Sequence, residues 1–321
     1  MSTGLGPVTY YHSLGSRSRQ STNAAQAKLH QAQQVNAIWE RLLHVQVDTF
    51  APAAPRVIPP PEPPTLRSYR KARFRTALQD MPWWRWLARH RIKDQVRRQA
   101  ALEFPAVLTD MAREHERAQE EEQQRWIKLL ANEPTVTMQQ LEDAFADNDM
   151  PAAPVGVEGA EASIAVLAPT EEVLPERIGG VTDAGNVSLR RVPKGQRQSL
   201  LTSITFGYAL VTAREAFAVA PSLQSVRIVV LRPRESTTTH GAQWACLLAA
   251  LWERSALQGE DWQQCSTKHS GNALALTVQT ATELLTHLPR QSLQPLDLTR
   301  EPDIQQLIAA VDQDWLTEES T

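Results

Sequence analysis

The sequence predicts an α+β protein: a long N-terminal helical arm, then a compact C-terminal domain with a small mixed sheet packed by helices. Three observations carry this. Residues 66–147 hold helix-spaced apolar positions in a highly charged background. SVRIVVLR, residues 225–232, is a run of β-branched and aliphatic residues, as a buried strand requires. Long helical stripes at 196–221 and 302–316 flank such strands without a regular βαβ alternation.

Taken in order, residues 1–22 are rich in Gly, Ser, Thr and Arg and read as a disordered tail. A short helix follows over 23–50, where Leu29, Val35, Ile38, Trp39, Leu42 and Leu43 recur at helical intervals. APAAPRVIPPPEPPT, residues 51–65, blocks helix and sheet alike and reads as an extended proline-rich linker. Pro60 to Pro63 also fits PxxP, a pattern that any proline run satisfies easily.

Residues 66–147 form the charged arm. Ile92, Val96, Ala100, Phe104, Leu108 and Met111 step by three or four along one narrow face. The steps do not keep a clean heptad, so a regular coiled coil stays an alternative. Pro105 is expected at a kink or as the first residue of a second helix, because an interior proline costs about 3 kcal/mol. TMQQLEDAFAD, residues 137–147, reads as a short helix opened by a Thr137–Gln140 capping box.

The α+β domain is expected over 151–321. VGVEGAEASIAVLAP gives two strands around a turn at Gly159, and NVSLRRV (186–192) a third. Between them, Ile178-Gly179-Gly180 reads as a loop. Residues 196–221 form a helix striped by Leu200, Leu201, Ile204, Tyr208, Val211 and Phe217 and stopped by Pro221. WACLLAALWE, residues 244–253, is apolar at both parities and fits a doubly buried strand or a buried helix. A last helix runs from about Pro302 to Leu316, with Thr299 near its start.

Composition narrows the function classes. Net charge is −3 over 321 residues, so the whole molecule has no strong field toward polyanions. No apolar run approaches the roughly 20 residues of a membrane span, and the N-terminus lacks the apolar centre of a signal peptide. Two cysteines, Cys246 and Cys265, give neither a disulfide framework nor a CxxC pair, so the cytoplasm is the expected compartment.

Sequence patterns of catalysis are missing. GxSxG, GxGxxG and GxxxxGK[ST] do not occur, and no Glu-x-Lys triplet exists to hold Mg²⁺ beside a strand acid. Glu260 and Asp261 read as a surface turn, Glu215 as a solvated helix charge beside Arg214, and Cys265 with His269 as a chance proximity. An enzyme reading requires distant residues to converge, for instance Glu215, His240 and Asp261. No catalytic residue, cofactor or metal is therefore assigned.

One segment carries a distinct signal. MPWWRWLARHRIKDQVRRQA, residues 81–100, sets Trp83, Trp84 and Trp86 beside Arg85, Arg89, Arg91, Lys93, Arg97 and Arg98. From Arg67 to Glu103 eleven Lys or Arg face three acids, whereas from Asp110 to Asp149 eleven acids face four bases. Three partners compete for it. Nucleic acid would be held by phosphate contacts with bases stacked on Trp. An anionic membrane would take a basic amphipathic helix. A structural arm would instead pair basic and acidic stretches within a hairpin or between copies. At about 100° per residue, the three tryptophans cannot share one helix face, so at least one points toward a partner.

RWIKLLANEPTVTMQQLEDAFADNDMPAAPVGVEG, TDAGNVSLRRVPK, YALVTAREAFAVAPSLQSVRIVVLR and the PLDL before the last helix occur in that order. Together they resemble a family of bacterial proteins with no assigned activity. These open with a short glycine-rich β domain, followed by a charged helical arm and an α/β part. GLGPVTYYHSLG, residues 4–15, is similar to the tail of that β domain, which this chain then lacks or has truncated. Related architectures add a restriction endonuclease, so the resemblance implies a bacterial cytoplasmic protein linked to DNA metabolism or phage defence. The leading expectation is a non-enzymatic scaffold that self-associates through its arm. The alternative is a nucleic-acid-binding accessory using the Trp-rich segment 67–98.

Overall fold

A computed structural model of the chain describes residues 12–79, 81–82, 84–181, 187–234, 244–260, 262 and 272–318. The fold is α+β: among the described residues, eight α-helices accompany a five-stranded mixed sheet and a two-stranded one. The chain divides into two compact units, Ala54–Ala131 and the described parts of Met1–Ala53 with Asn132–Thr321.

The larger unit is built on strands β1 (Ala152–Glu158), β2 (Glu161–Leu167), β5 (Ser225–Pro233), β6 (Trp244–Glu253) and β7 (Ala281–Thr286), paired in that order. β2 and β5 are parallel; the other pairs are antiparallel. The β1–β2 hairpin turns at Gly159, whose φ of 59° suits a residue without Cβ. WACLLAALWE resolves to strand, with nearly every side chain from Trp244 to Trp252 buried. Alternation then sorts the sheet into two faces. Ala165, Val229, Leu231, Cys246 and Ala249 meet Ile304, Ile308 and Val311 of the last helix, α8 (Pro302–Glu318). On the opposite face, Ile164, Val166, Ile228, Val230 and Leu248 are buried where α5 (Lys194–Val219) crosses β5. Each such aliphatic side chain contributes roughly 1.5–3 kcal/mol.

Helix α5 differs from a one-sided stripe: side chains are buried all round from Ile204 to Ala213. Its outer side is covered by α1 (His12–Leu43). The expected separate short helix is thus longer, starting at His12 where a disordered tail was expected, and it belongs to the core of the larger unit. Trp39 and Leu42 are buried with Val45, Ile204, Tyr208 and Val211, whereas Leu29 and Ile38 of the expected stripe are exposed. Ala32 and Asn36 take their place, facing the two-stranded sheet of β3 (Arg177–Val181) and β4 (Val187–Arg191). Ile178-Gly179-Gly180 is therefore strand, not loop, because α1 supplies it with polar partners.

The helix α4 (Pro134–Phe145) begins earlier than its expected capping box. Glu133 caps it by accepting from the Val136 amide at 2.9 Å, with Pro134 in the first turn, and Thr137 is fully buried.

The smaller unit pairs α2 (Leu66–Leu78) with α3 (Trp86–Leu130). Thr65 caps α2 by accepting from the Ser68 amide at 3.1 Å. Pro105 neither ends nor starts a helix; α3 runs through it, and the Thr109 hydroxyl donates to the Pro105 carbonyl at 3.0 Å. The proline-rich segment is no free spacer. The Gln119 side-chain amide accepts from the Ile58 N–H at 3.0 Å and donates to the Arg56 carbonyl at 3.4 Å, strapping it along α3.

Candidate functional site

The basic segment forms the closed end of an antiparallel hairpin. Tyr69 on α2 donates to Glu103 at 3.1 Å and packs on Phe104, with ring centroids 5.7 Å apart. Nearer the turn, Thr76 and Ala77 lie opposite Val96, Gln99 and Ala100. At the turn, Arg89 donates to the Met81 carbonyl and the Arg85 amide to the Pro82 carbonyl. Trp86 is the first residue of α3 and is 67% exposed, and Trp84 in the turn before it is 64% exposed. Trp83 lies outside the described residues, as do His240, Asp261, Cys265 and His269.

This geometry overturns one form of the structural-arm reading. The basic half of α3 does not fold onto the acidic half; it folds onto α2, which carries Arg67, Arg70, Lys71, Arg73 and Arg75. Both described acids there are engaged, Glu103 by Arg73 and Asp94 by His90 and Arg97. Arg85, Arg91, Lys93 and Arg98 have no carboxylate in ion-pair range among the described residues. The acidic run is also divided. Five of its eleven acids, from Glu133 to Asp149, belong to α4 and the turn after it, in the larger unit. The hairpin's closed end is therefore strongly cationic.

A second site lies in the larger unit, and Glu215 is its centre. This residue is not a solvated charge: it is 7% exposed, and its carboxylate accepts from Asn148 Nδ2 at 2.7 Å. Arg214 does not flank it but turns to the Gln46 carbonyl and the Trp262 ring, 4.0 Å from the centroid. Burial pushes the Glu215 carboxyl above its ordinary range; the Asn148 bond opposes this, and Asp147 adds to it. Tyr208, two helical turns earlier, is likewise raised, chiefly by burial. Tyr208, Thr212 and Glu215 line a cavity of about 160 Å³ whose rim is Arg41, Asp48, Asp147 and Asp149. Arg41 and Asp149 form an ion pair at 2.7 Å. Of Tyr208, Thr212 and Glu215, only Tyr208 belongs to the apolar stripe that the sequence shows, and nothing local marks Thr212 and Glu215 as buried. Among the described residues no group of three His, Cys, Asp or Glu is spaced to hold a metal.

The fold thus defines an α+β protein with a cationic helical hairpin and a polar cavity. Set against family models, curated proteins and solved structures, the chain matches none of them, so the functional reading rests on geometry. Among the described residues no helix is long and apolar enough to cross a membrane.

Proposed function

We propose that this is a cytoplasmic binding protein, not an enzyme, whose α2–α3 hairpin grips nucleic acid. The observation that carries this is the return of α2 onto the basic half of α3. It concentrates cations from both helices beside exposed Trp84 and Trp86. Nine of the eleven cations between Arg67 and Glu103 are arginines, whose planar fork matches phosphate oxygens in pairs. Arg and Lys would neutralise the backbone while the indoles stack on unpaired bases, a mode that favours single strands. An anionic membrane would need a continuous apolar face, and α2 has no buried or strongly apolar side to offer.

The test is fluorescence anisotropy of labelled single-stranded and duplex DNA with the full chain at about 50 mM salt, then at rising salt. Binding that falls steeply with salt supports the reading, and no binding at the low salt overturns it. Anionic vesicles run alongside; capture by vesicles but not DNA would assign the hairpin to membrane instead.

Self-association through the arm is the second reading, favoured by Leu102, which is 81% exposed on the N-terminal half of α3. Two copies side by side in opposite senses would set the basic part of one α3 against Glu120, Glu121 and Glu122 of the other. Light scattering separates the two, since a strict monomer at tens of micromolar, a concentration far above that of a weak-micromolar dimer, removes this reading.

A further inference from the structure

The cavity on α5 has a chemistry independent of the hairpin. Its floor is made of acceptors: the Glu215 carboxylate and the Tyr208 and Thr212 hydroxyls, from residues 7%, 5% and 3% exposed. Neither hydroxyl has a hydrogen-bond partner among the described residues, so both offer oxygen lone pairs to the cavity. Among the described residues Glu215 receives one neutral donor, Asn148, and no cation. Among the described residues the rim's one cation, Arg41, is paired with Asp149, and Asp48 and Asp147 have no ion-pair partner at the mouth. Phe50 adds an aromatic wall beside Tyr208.

From this arrangement we infer that the cavity is a binding site for the ammonium end of a small aliphatic amine. An ammonium carries three donors and no acceptor, and the cavity is lined by three residues that carry acceptor oxygens. An anion would meet Glu215 and the rim acids, and a neutral alcohol would leave the buried carboxylate without a charge partner. A divalent ion would lack a third ligand of the carboxylate, thiolate or imidazole type among the described residues. Phe50 and Tyr208 add aromatic surface to the lining, which favours a cation over an anion. About 160 Å³ admits a four- or five-carbon chain but not a large cofactor. A second ammonium on that chain would reach the mouth, where Asp48 and Asp147 stand; a diamine therefore binds more tightly than a monoamine.

The experiment is calorimetric titration of the full chain, freed of nucleic acid, with 1,4-diaminobutane, n-butylamine and n-butanol. One saturable site per chain is expected for the diamine, weaker binding for the monoamine and none for the alcohol. Glu215→Gln and Tyr208→Phe should each weaken the diamine by about tenfold or more, since each loses a hydrogen bond to a charged donor. Arg91→Ala, on the hairpin, should leave it unchanged. Absence of saturable heat with the diamine overturns the inference, as does equal affinity of the Glu215→Gln chain. Equal binding of butanol, or displacement of the diamine by micromolar Mg²⁺ or Ca²⁺, also overturns it. The alcohol comparison uses unaltered protein, so a variant that misfolds does not blur the result.

Discussion

Asn36 on α1 holds Gly179 on β3 by both backbone groups: its Oδ1 accepts from the Gly179 amide at 2.8 Å and its Nδ2 donates to the Gly179 carbonyl at 3.3 Å. A side-chain amide thus imitates a neighbouring strand, and the Trp39 indole extends the contact by donating to the Arg177 carbonyl at 2.9 Å. The approach requires glycine. A Cβ at position 179 would stand 2.9 Å from the Ala32 Cβ and 3.0 Å from the Ala32 carbonyl oxygen.

Gly179→Ala should therefore destabilise the larger unit by about 1–3 kcal/mol, because α1 must shift or the strand must bend. Asn36→Ala should cost a similar amount by leaving two half-buried backbone groups unpaired, about 1–3 kcal/mol. Urea denaturation followed by far-ultraviolet circular dichroism measures both, and Gly180→Ala is the control, since a Cβ there meets nothing within 4 Å.

On the hairpin, Arg91→Ala and Lys93→Ala should weaken nucleic-acid binding about equally for all sequences. Each should also reduce the salt slope by roughly one phosphate contact. Neither should change the melting temperature, because neither cation is bonded within the hairpin among the described residues. Arg89→Ala should behave differently, lowering thermal stability as well, because Arg89 ties the turn to the Met81 carbonyl.

Glu215 gives a prediction with a sign. Its folded carboxyl titrates above its ordinary value of 4.5, mainly through burial, so the folded chain binds the proton more tightly than the unfolded chain. The stability this contributes is present below 4.5 and is lost as pH rises through the folded value. The groups around it are Asp147, Asn148 and Asp149 after α4, Asp48 and Arg41 after and on α1, and Tyr208 on its own helix. Glu215→Gln keeps an acceptor for Asn148 without the buried charge. Its denaturation midpoint should exceed the parent's at pH 8 and match it near pH 4, read from parallel urea curves at the two pH values. A parent that stays the more stable at pH 8 would contradict the account.

Cys246 is 2% exposed, its Sγ lies 3.4 Å from the Leu248 carbonyl, and burial pushes its thiol up to about 11. In a Cys265→Ser background, iodoacetamide at pH 8 should label Cys246 only after denaturation. Mass spectrometry of the native and urea-treated chains reads this directly.

Local pattern made several elements legible. The Gly159 hairpin, β5, α5 and α8 stand where alternation, β-branched runs and helical spacing put them. These signals depend on neighbours a few residues apart, as does the clustering of Arg and Trp from Arg67 to Arg98. Other features have no local cause. Gly179 reads as loop until Asn36, 143 positions away, supplies its hydrogen bonds. Pro105 reads as a break, yet α3 continues through it.

Charge shows the division most clearly. The alternation of basic and acidic stretches is written in the chain, but which stretch meets which depends on where it folds back. The reversal between α2 and α3 sets α2 along the basic half of α3, so like charges gather where opposite charges were expected to pair. Glu215 follows the same logic: its spacing on α5 is a property of sequence, whereas its desolvation is imposed by α1 and the turn after α4. Burial and long-range pairing come from segments far apart in the chain, and those distances are set only when the whole unit packs.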